Sequence, residues 1–342
     1  MTGQKKAILT AAGLGAGLAV RKLLARRSEE SLRGRVVLIT GGSKGLGIAL
    51  ARQFAREGCR LAICARNREE LHGAKRELQR QGAQVLAIPC DVSDEAQVKQ
   101  MVADVTTHYG AIDILVNNAG QIQVGPVTAM TVQDFDSAMK VMFWGVVFPT
   151  LALIPDMVRR RSGKIVTITS FGGKVSIPHM VPYTCAKFAA TGFSEGLRAE
   201  LGQEGIQVTT IAPGMLRTGS FLNALFKGDQ EAEGKWFSLG ASAPGLAMSA
   251  DTAAKKIVKA VKRGEAEKVL TGGAKALSGF HGLFPGAAAD LLGIAAAALL
   301  PAATGPTGSK PGSRLQSLKK PAMNMLLTLG RSAAQKYRQR PA

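Results

Sequence analysis

The chain has 342 residues, 46% of them hydrophobic, and a formal net charge of +20. That length suits one large core with appendages, because single cores seldom grow beyond about 250–300 residues. Residues 1–35 carry eight Lys/Arg against two Glu, and residues 306–342 carry eight Lys/Arg and no acid, so the two ends hold 14 of the 20 net charges. A mildly basic middle without zinc-finger spacing, basic heptads or an aromatic RNA-binding signature argues against nucleic acid as a partner. Cys59, Cys64, Cys90 and Cys185 lack C-x-x-C spacing and the four histidines stand singly, which points to reduced thiols and gives a metal centre no support.

Residues 1–34 form a basic and apolar leader. Its stretch 7–20, AILTAAGLGAGLAV, falls short of the ~20 residues that cross a bilayer as a helix. An uncleaved anchor or interfacial helix is the expectation, with a signal peptide or disordered leader as the alternative. Arg21, Lys22, Arg26 and Arg27 would then keep the remainder of the chain cytoplasmic. From residue 35 short β-rich runs alternate with amphipathic stretches. The runs are 35–40, 60–65, 84–89, 112–117, 164–169, 206–211 and 268–272; the expected helices are 46–57, 67–81, 94–109, 133–160, 182–203 and 249–263. Strand then helix, repeated, predicts a doubly wound, mostly parallel seven-stranded α/β sheet over residues 35–275. Residues 276–342 read as an apolar block at 280–300, a Pro/Gly/Ser-rich linker and a basic tail that could touch anionic lipid.

Two local patterns carry chemistry. PYTCAKF places Tyr183 and Lys187 four apart, one turn from each other on a helix face, so that the ammonium can favour the phenolate of a group that ordinarily titrates near ~10. Such pairs also occur on solvated helices. TGGSKGLG at 40–47 follows the first strand, and its glycines let backbone amides and a helix N-terminus approach a pyrophosphate. The spacing is neither G-x-G-x-x-G nor a complete P-loop.

Taken together, these residues resemble the short-chain dehydrogenase/reductases. TGGSKGLG is similar to that family's T-G-x-x-x-G-x-G turn, CDV at 90–92 to its adenine segment, NNAG at 117–120 to its motif after the fourth strand, YTCAK to Y-x-x-x-K, and PGMLRT at 213–218 to P-G-x-x-x-T. Ser170 stands thirteen residues before Tyr183, where the family has its serine. The resemblance implies a Rossmann-type oxidoreductase that moves a hydride between a nicotinamide and a carbonyl or alcohol. Tyr183 would exchange the proton, Lys187 would lower its pKa and hold the ribose, and Ser170 would hydrogen-bond the substrate oxygen. The implied cofactor residues are Gly41, Ser43, Lys44, Gly45, Leu46, Gly47, Arg66, Asp91, Val92, Asn118, Ala119, Gly120, Pro213, Gly214 and Thr218, besides Tyr183 and Lys187, with Asn117 steadying the sheet end. One position departs from the pattern: VMFWG puts Met142 where many members have a helix asparagine that holds a relay water, and a thioether is a weak acceptor.

The 214–247 insertion should be the substrate lid. Its Phe221, Leu222, Leu225, Phe226, Trp236, Phe237 and Leu239 suit the roof of an apolar pocket, a dimer contact or plain core. After the second strand CARNREE offers Arg66 where an NAD-preferring enzyme has an acid, and Lys44 projects toward the same place, which favours the 2′-phosphate of NADP(H). The expectation is therefore an NADP(H)-preferring oxidoreductase that interconverts a carbonyl and an alcohol on a small-molecule substrate that is apolar and bulky, as a homo-oligomer, dimer or tetramer, like its relatives. The alternative is a membrane-tethered nucleotide-binding scaffold with little turnover.

Overall fold

Val36–Thr40 (β1) is buried along its whole length, which only a strand covered by helices on both faces achieves. The computed structural model describes residues 29–339, so the apolar stretch 7–20 lies outside the described residues. Six more strands join the same sheet: Arg60–Ala65 (β2), Val85–Pro89 (β3), Ile114–Asn117 (β4), Gly163–Ile168 (β5), Ile206–Ala212 (β6) and Glu267–Val269 (β7). The order is β7-β6-β5-β4-β1-β2-β3 and every neighbouring pair is parallel. All seven expected strands form, with ends displaced by three residues at most.

Parallel neighbours need crossovers, and helices supply them. Gly45–Arg56 (α1), Arg68–Arg80 (α2) and Glu95–Tyr109 (α3) come first, then Val132–Met139 (α4), Gly145–Arg160 (α5), Val181–Leu201 (α6), Gln230–Ser242 (α7) and Ala250–Lys262 (α8). Ile48, Phe54, Leu71, Leu78 and Ile257 cover one face of the sheet from α1, α2 and α8. Val98, Met101, Leu153, Met157 and Leu197 cover the other from α3, α5 and α6. Strand order reverses between β1 and β4, and the crevice beyond their C-terminal ends is where open α/β sheets bind ligands.

Helix starts differ in a way that matters for the site. Asn67, Asp94, Asp229 and Ser249 cap α2, α3, α7 and α8 by accepting from the third following amide. Lys44, at the start of α1, makes no side-chain cap. The single helix expected over 133–160 is interrupted, because Lys140–Trp144 forms a π-helical turn between α4 and α5. Apolar periodicity does not reveal such a turn, whose one extra residue per turn leaves the apolar content unchanged. Val132–Arg160 is long and apolar enough to cross a membrane, yet it packs against α3 and α6 as a core element.

The lid is pinned from two sides. Leu225–Phe226 pairs with Gln123–Val124, and Lys227, almost fully buried, reaches Asp134 at the start of α4 at 2.5 Å. Burial alone would raise the Asp134 pKa, but hydrogen bonds from Lys227, Gln123 and Thr131 outweigh it and hold the carboxyl at about 2.

After β7 the chain makes a hairpin of two helices, Gly272–Leu283 (α9) and Pro285–Leu299 (α10), exposing Leu283, Phe284, Leu291, Ile294 and Leu299. The segment beyond it differs from a solvated tail. Lys310–Pro311 pairs antiparallel with Leu225–Phe226, and Leu315, Leu318 and Leu327 share a small core with Val124, Phe221, Phe226 and Phe237. Two short helices, Pro321–Leu326 (α11) and Thr328–Lys336 (α12), then bring Ala333 and Tyr337 into the main core. The physical reason is spacing: apolar residues scattered among Lys, Gly and Ser were enough to bury one side of a segment whose average composition is polar.

Candidate active site

The cleft begins with Thr40, the last residue of β1. Its Oγ1 accepts from the amides of Asn118 at 2.9 Å and Ala119 at 3.1 Å. Asn118 returns two bonds, its Nδ2 donating to the carbonyls of Thr40 at 2.9 Å and Gly41 at 3.2 Å. The ends of β1 and β4 are thus tied together where the strand order reverses. Asn117 completes the join by donating to Thr150 on α5 at 2.9 Å. Glycine is required at two positions of the turn: a Cβ on Gly41 would stand 2.9 Å from the Ala119 Cα, and one on Gly47 would collide with the Gly41 carbonyl. Gly41 and Gly45 also have positive φ. A side-chain-free helix N-terminus, two glycines that admit no Cβ and a buried Ser43 fit the pyrophosphate of a dinucleotide.

The adenosine end of the cleft carries the two expected cations. Arg66 leaves β2 with its side chain 67% exposed and Nη1 3.9 Å from Asp91. Lys44 pairs with Glu70 at 3.0 Å. Sequence reasoning missed Glu70 although it stands in the same CARNREE run. Asp91 accepts from the Ser93 amide and hydroxyl at 3.0 and 2.7 Å, while Val92 is buried where a Cβ on Gly145 would stand 2.7 Å away.

At the other end Ser170 comes just after β5, its Oγ accepting from the Gly172 amide at 3.0 Å and bonded to the Tyr183 hydroxyl. Tyr183 and Lys187 lie in the first two turns of α6. The Lys187 ammonium donates to the Ile168 carbonyl at 2.9 Å and lies 5.9 Å from the centre of the Tyr183 ring. Burial brings its pKa down to about 8. Burial also raises the Tyr183 phenol, the Ser170 hydrogen bond acting in the opposite sense. The expected lowering of the phenol by Lys187 is therefore not found: the ammonium is turned to a backbone carbonyl and the loss of hydration dominates. A Cβ on Gly120 would lie 3.8 Å from the Lys187 nitrogen and 3.8 Å from the Met142 sulfur, so both side chains border Gly120. Met142 is buried with Ala138, Ala186 and Tyr183, carried there by the π-helical turn.

The closing loop is tied to the same place. The Phe171 amide donates to the Pro213 carbonyl at 2.7 Å. A Cβ on Gly214 would stand 2.5 Å from the Thr271 hydroxyl, and Thr218 accepts from the Ser220 amide at 3.2 Å. Of the lid residues, Phe221, Phe226 and Phe237 are core. Leu222 and Trp236 are partly buried beside Ile177, Met215, Met323 and the Tyr183 ring, whereas Leu239 is exposed. Two further features have no counterpart in the sequence reading. His179 meets the fully buried Glu233 at 2.6 Å, and Trp236 donates to the other oxygen at 2.6 Å, joining the lid to the loop before α6. The Gly45 amide donates to the carbonyl of Tyr337 at 2.8 Å, near the end of the chain. Histidine spacing carries no signal for the first, and nothing in the composition of the tail points to the second.

Comparison with known proteins agrees with this geometry. Residues 35–225 match the family model described as short chain dehydrogenase. The "Dehydrogenase/reductase SDR family protein 7-like" of Anopheles gambiae is 40% identical over 251 residues, covering 72% of this chain and 77% of its own. Among solved structures, the actinorhodin polyketide ketoreductase with NADPH superposes with a TM-score of 0.62 and 28% identity, over 70% of this chain and 97% of its own. A gluconate 5-dehydrogenase from Burkholderia cenocepacia, in complex with NADP and tartrate, gives 0.62 and 30% over 72% and 96%.

Lys187 provides a test of the buried site. Its folded pKa of about 8 lies below the ordinary 10.5, so between those values the unfolded chain holds more protons and stability rises with pH. Below about 8 the full cost of burying the charge applies. Lys187→Met is expected to melt higher than wild type at pH 7, with the gap closing between pH 8 and 10.5. Thermal melts at stepped pH measure this, and a gap that does not change across that window contradicts it.

Proposed function

Because the chain belongs to the short-chain dehydrogenase/reductase family and is an oxidoreductase, we propose that it prefers NADP(H) and interconverts a carbonyl and an alcohol on a bulky apolar substrate. The observation that carries this reading is the meeting of Ser170, Tyr183 and Lys187 beside an apolar wall, at the end of a cleft whose other end is cationic. The turn from Gly41 to Gly47, Asp91 and Val92, Asn118, Ala119 and Gly120, and Pro213, Gly214 and Thr218 would hold the dinucleotide. When bound, its nicotinamide supplies or takes the hydride.

The chain's own residues handle the proton. In the reducing direction the Tyr183 hydroxyl gives its proton to the carbonyl oxygen as the carbon gains hydride, so a C=O bond becomes an alcohol. A phenol kept protonated by burial suits that task. Ser170 holds the same oxygen while charge builds on it. Lys187, which releases its proton near pH 8, stands beside the phenolate left behind. Met142 offers no amide to hold a relay water, so the proton that restores Tyr183 would come from the Lys187 ammonium and, behind it, from water, with the Ile168 carbonyl only orienting that ammonium. No observation favours the scaffold alternative.

Cofactor preference is supported by Lys44 and Arg66, and by two neighbours solved with NADPH and NADP. Ile177, Met215, Leu222 and Trp236 support an apolar substrate. Trp144, Leu151 and Phe188 stay exposed on the π-helical turn, α5 and α6, an apolar surface that suits a second copy of the chain. The exposed hairpin of α9 and α10, with the basic leader, supports a cytoplasmic domain held at a membrane. Recovery of the full-length chain wholly in the soluble fraction at low salt would contradict that placement.

Tyr183→Phe removes one hydroxyl. Measured by NADPH oxidation with ketones and aldehydes of increasing chain length, it is expected to lower kcat by about a hundredfold or more while NADPH binding changes little. A variant as fast as wild type on a confirmed substrate would overturn the assignment.

A further inference from the structure

The last residues of the described chain cross the cleft. Ala334 on α12 sits where a side chain on Gly219 of the lid would stand. The Tyr337 ring is buried, its hydroxyl accepting from the Asp251 amide at 3.2 Å and the Arg52 guanidinium lying 5.8 Å from its centre. Its carbonyl takes the Gly45 amide. Arg338 pairs with Glu77 at 3.3 Å and reaches the Glu70 carbonyl at 3.5 Å. Gln339 accepts from Asn223 of the lid at 2.7 Å, and its Nε2 lies 2.8 Å from where a Gly45 Cβ would be.

Three consecutive residues therefore touch the glycine turn, the lid and the helix that carries Glu70, the partner of Lys44. These are the walls of the nucleotide cleft, and a segment joined to all of them spans the opening between them. The Tyr337 carbonyl also takes a donor at a helix N-terminus that no side chain caps, a donor suited to an anion. Arg338 holds a positive φ of 60°, a conformation a non-glycine residue keeps only while its contacts hold it.

We propose that residues 337–339, at the end of α12, form a strap that gates cofactor exchange. The Tyr337 ring is the fixed end, and the nucleotide enters and leaves when the backbone from the Tyr337 carbonyl to Gln339 lifts from Gly45 and Asn223. The proposal rests on the reading of this cleft as the nucleotide site.

Stopped-flow fluorescence with NADPH tests it on the full chain. Gln339→Ala and Asn223→Ala cut the same link from opposite sides, so the result does not hang on one variant's folding. Each is expected to raise the association and dissociation rates together, by about tenfold, with Kd held within about threefold, because the lost bond belongs to the closed strap. Rates within about twofold of wild type, or association that slows while dissociation quickens, would overturn the strap, the latter by making this segment a wall of the site. If wild type binds no NADPH at all, the nucleotide reading itself fails and the strap with it.

Discussion

The Thr40 hydroxyl accepts two backbone amides from the end of the neighbouring strand, those of Asn118 and Ala119, and the geometry of the cleft depends on that join. Parallel strands part company at their C-terminal ends, where each chain turns away to its own helix, so a crevice opens between β1 and β4 whatever the side chains are. Left alone, its backbone donors would be solvated and its width variable. Thr40 and Asn118 fix the width with four hydrogen bonds, each contributing on the order of 1 kcal/mol net and leaving a buried group costly to orphan if broken. Gly41 can then pass against Ala119 without a side chain between them.

The chemistry at the far end depends on the same frame. Asn117 carries the join into α5 through Thr150, and the π-helical turn just before α5 buries Met142 beside Ala186 and Tyr183 of α6. Lys187 bonds the end of β5 at Ile168, while Ser170, two residues on, bonds Tyr183. Helix α6 is thus registered to the sheet by the buried Lys187, whose ammonium donates to the Ile168 carbonyl. Burial has a consequence for the proposed chemistry: a lysine brought down to about 8 and a tyrosine held protonated would suit the protonation of a carbonyl oxygen.

Much of this was legible in the residues. Strands such as RLAICA are continuous apolar runs, and burial on both faces leaves no other reading for their length. TGGSKGLG, NNAG and YTCAK lie on the strand ends and helix starts that meet at the crevice, so motif order pointed to the candidate site. Other features were not legible, the His179–Glu233 pair among them. The break in α4–α5 changes hydrogen-bond pairing without changing composition. Glu70 was visible as a residue but its contact with Lys44 depends on how α2 packs against the turn. The C-terminal segment carries eight basic residues and no acid across 306–342, and that average hid Leu315, Leu318, Leu327 and Tyr337, whose burial arises only from long-range packing.

The central claim is that this cleft receives NADP(H), with Arg66 and Lys44 meeting a 2′-phosphate. Both cations are held by carboxylates, Asp91 and Glu70, that a phosphate can displace because it carries more charge and more acceptors. The most direct measurement is the ratio of kcat/KM with NADPH to that with NADH, for wild type and for Arg66→Asp. Wild type should favour NADPH by about tenfold or more, the equivalent of ~1.4 kcal/mol from one charge-assisted contact, and the aspartate variant should reverse the order. Equal use of the two cofactors by wild type would contradict the account.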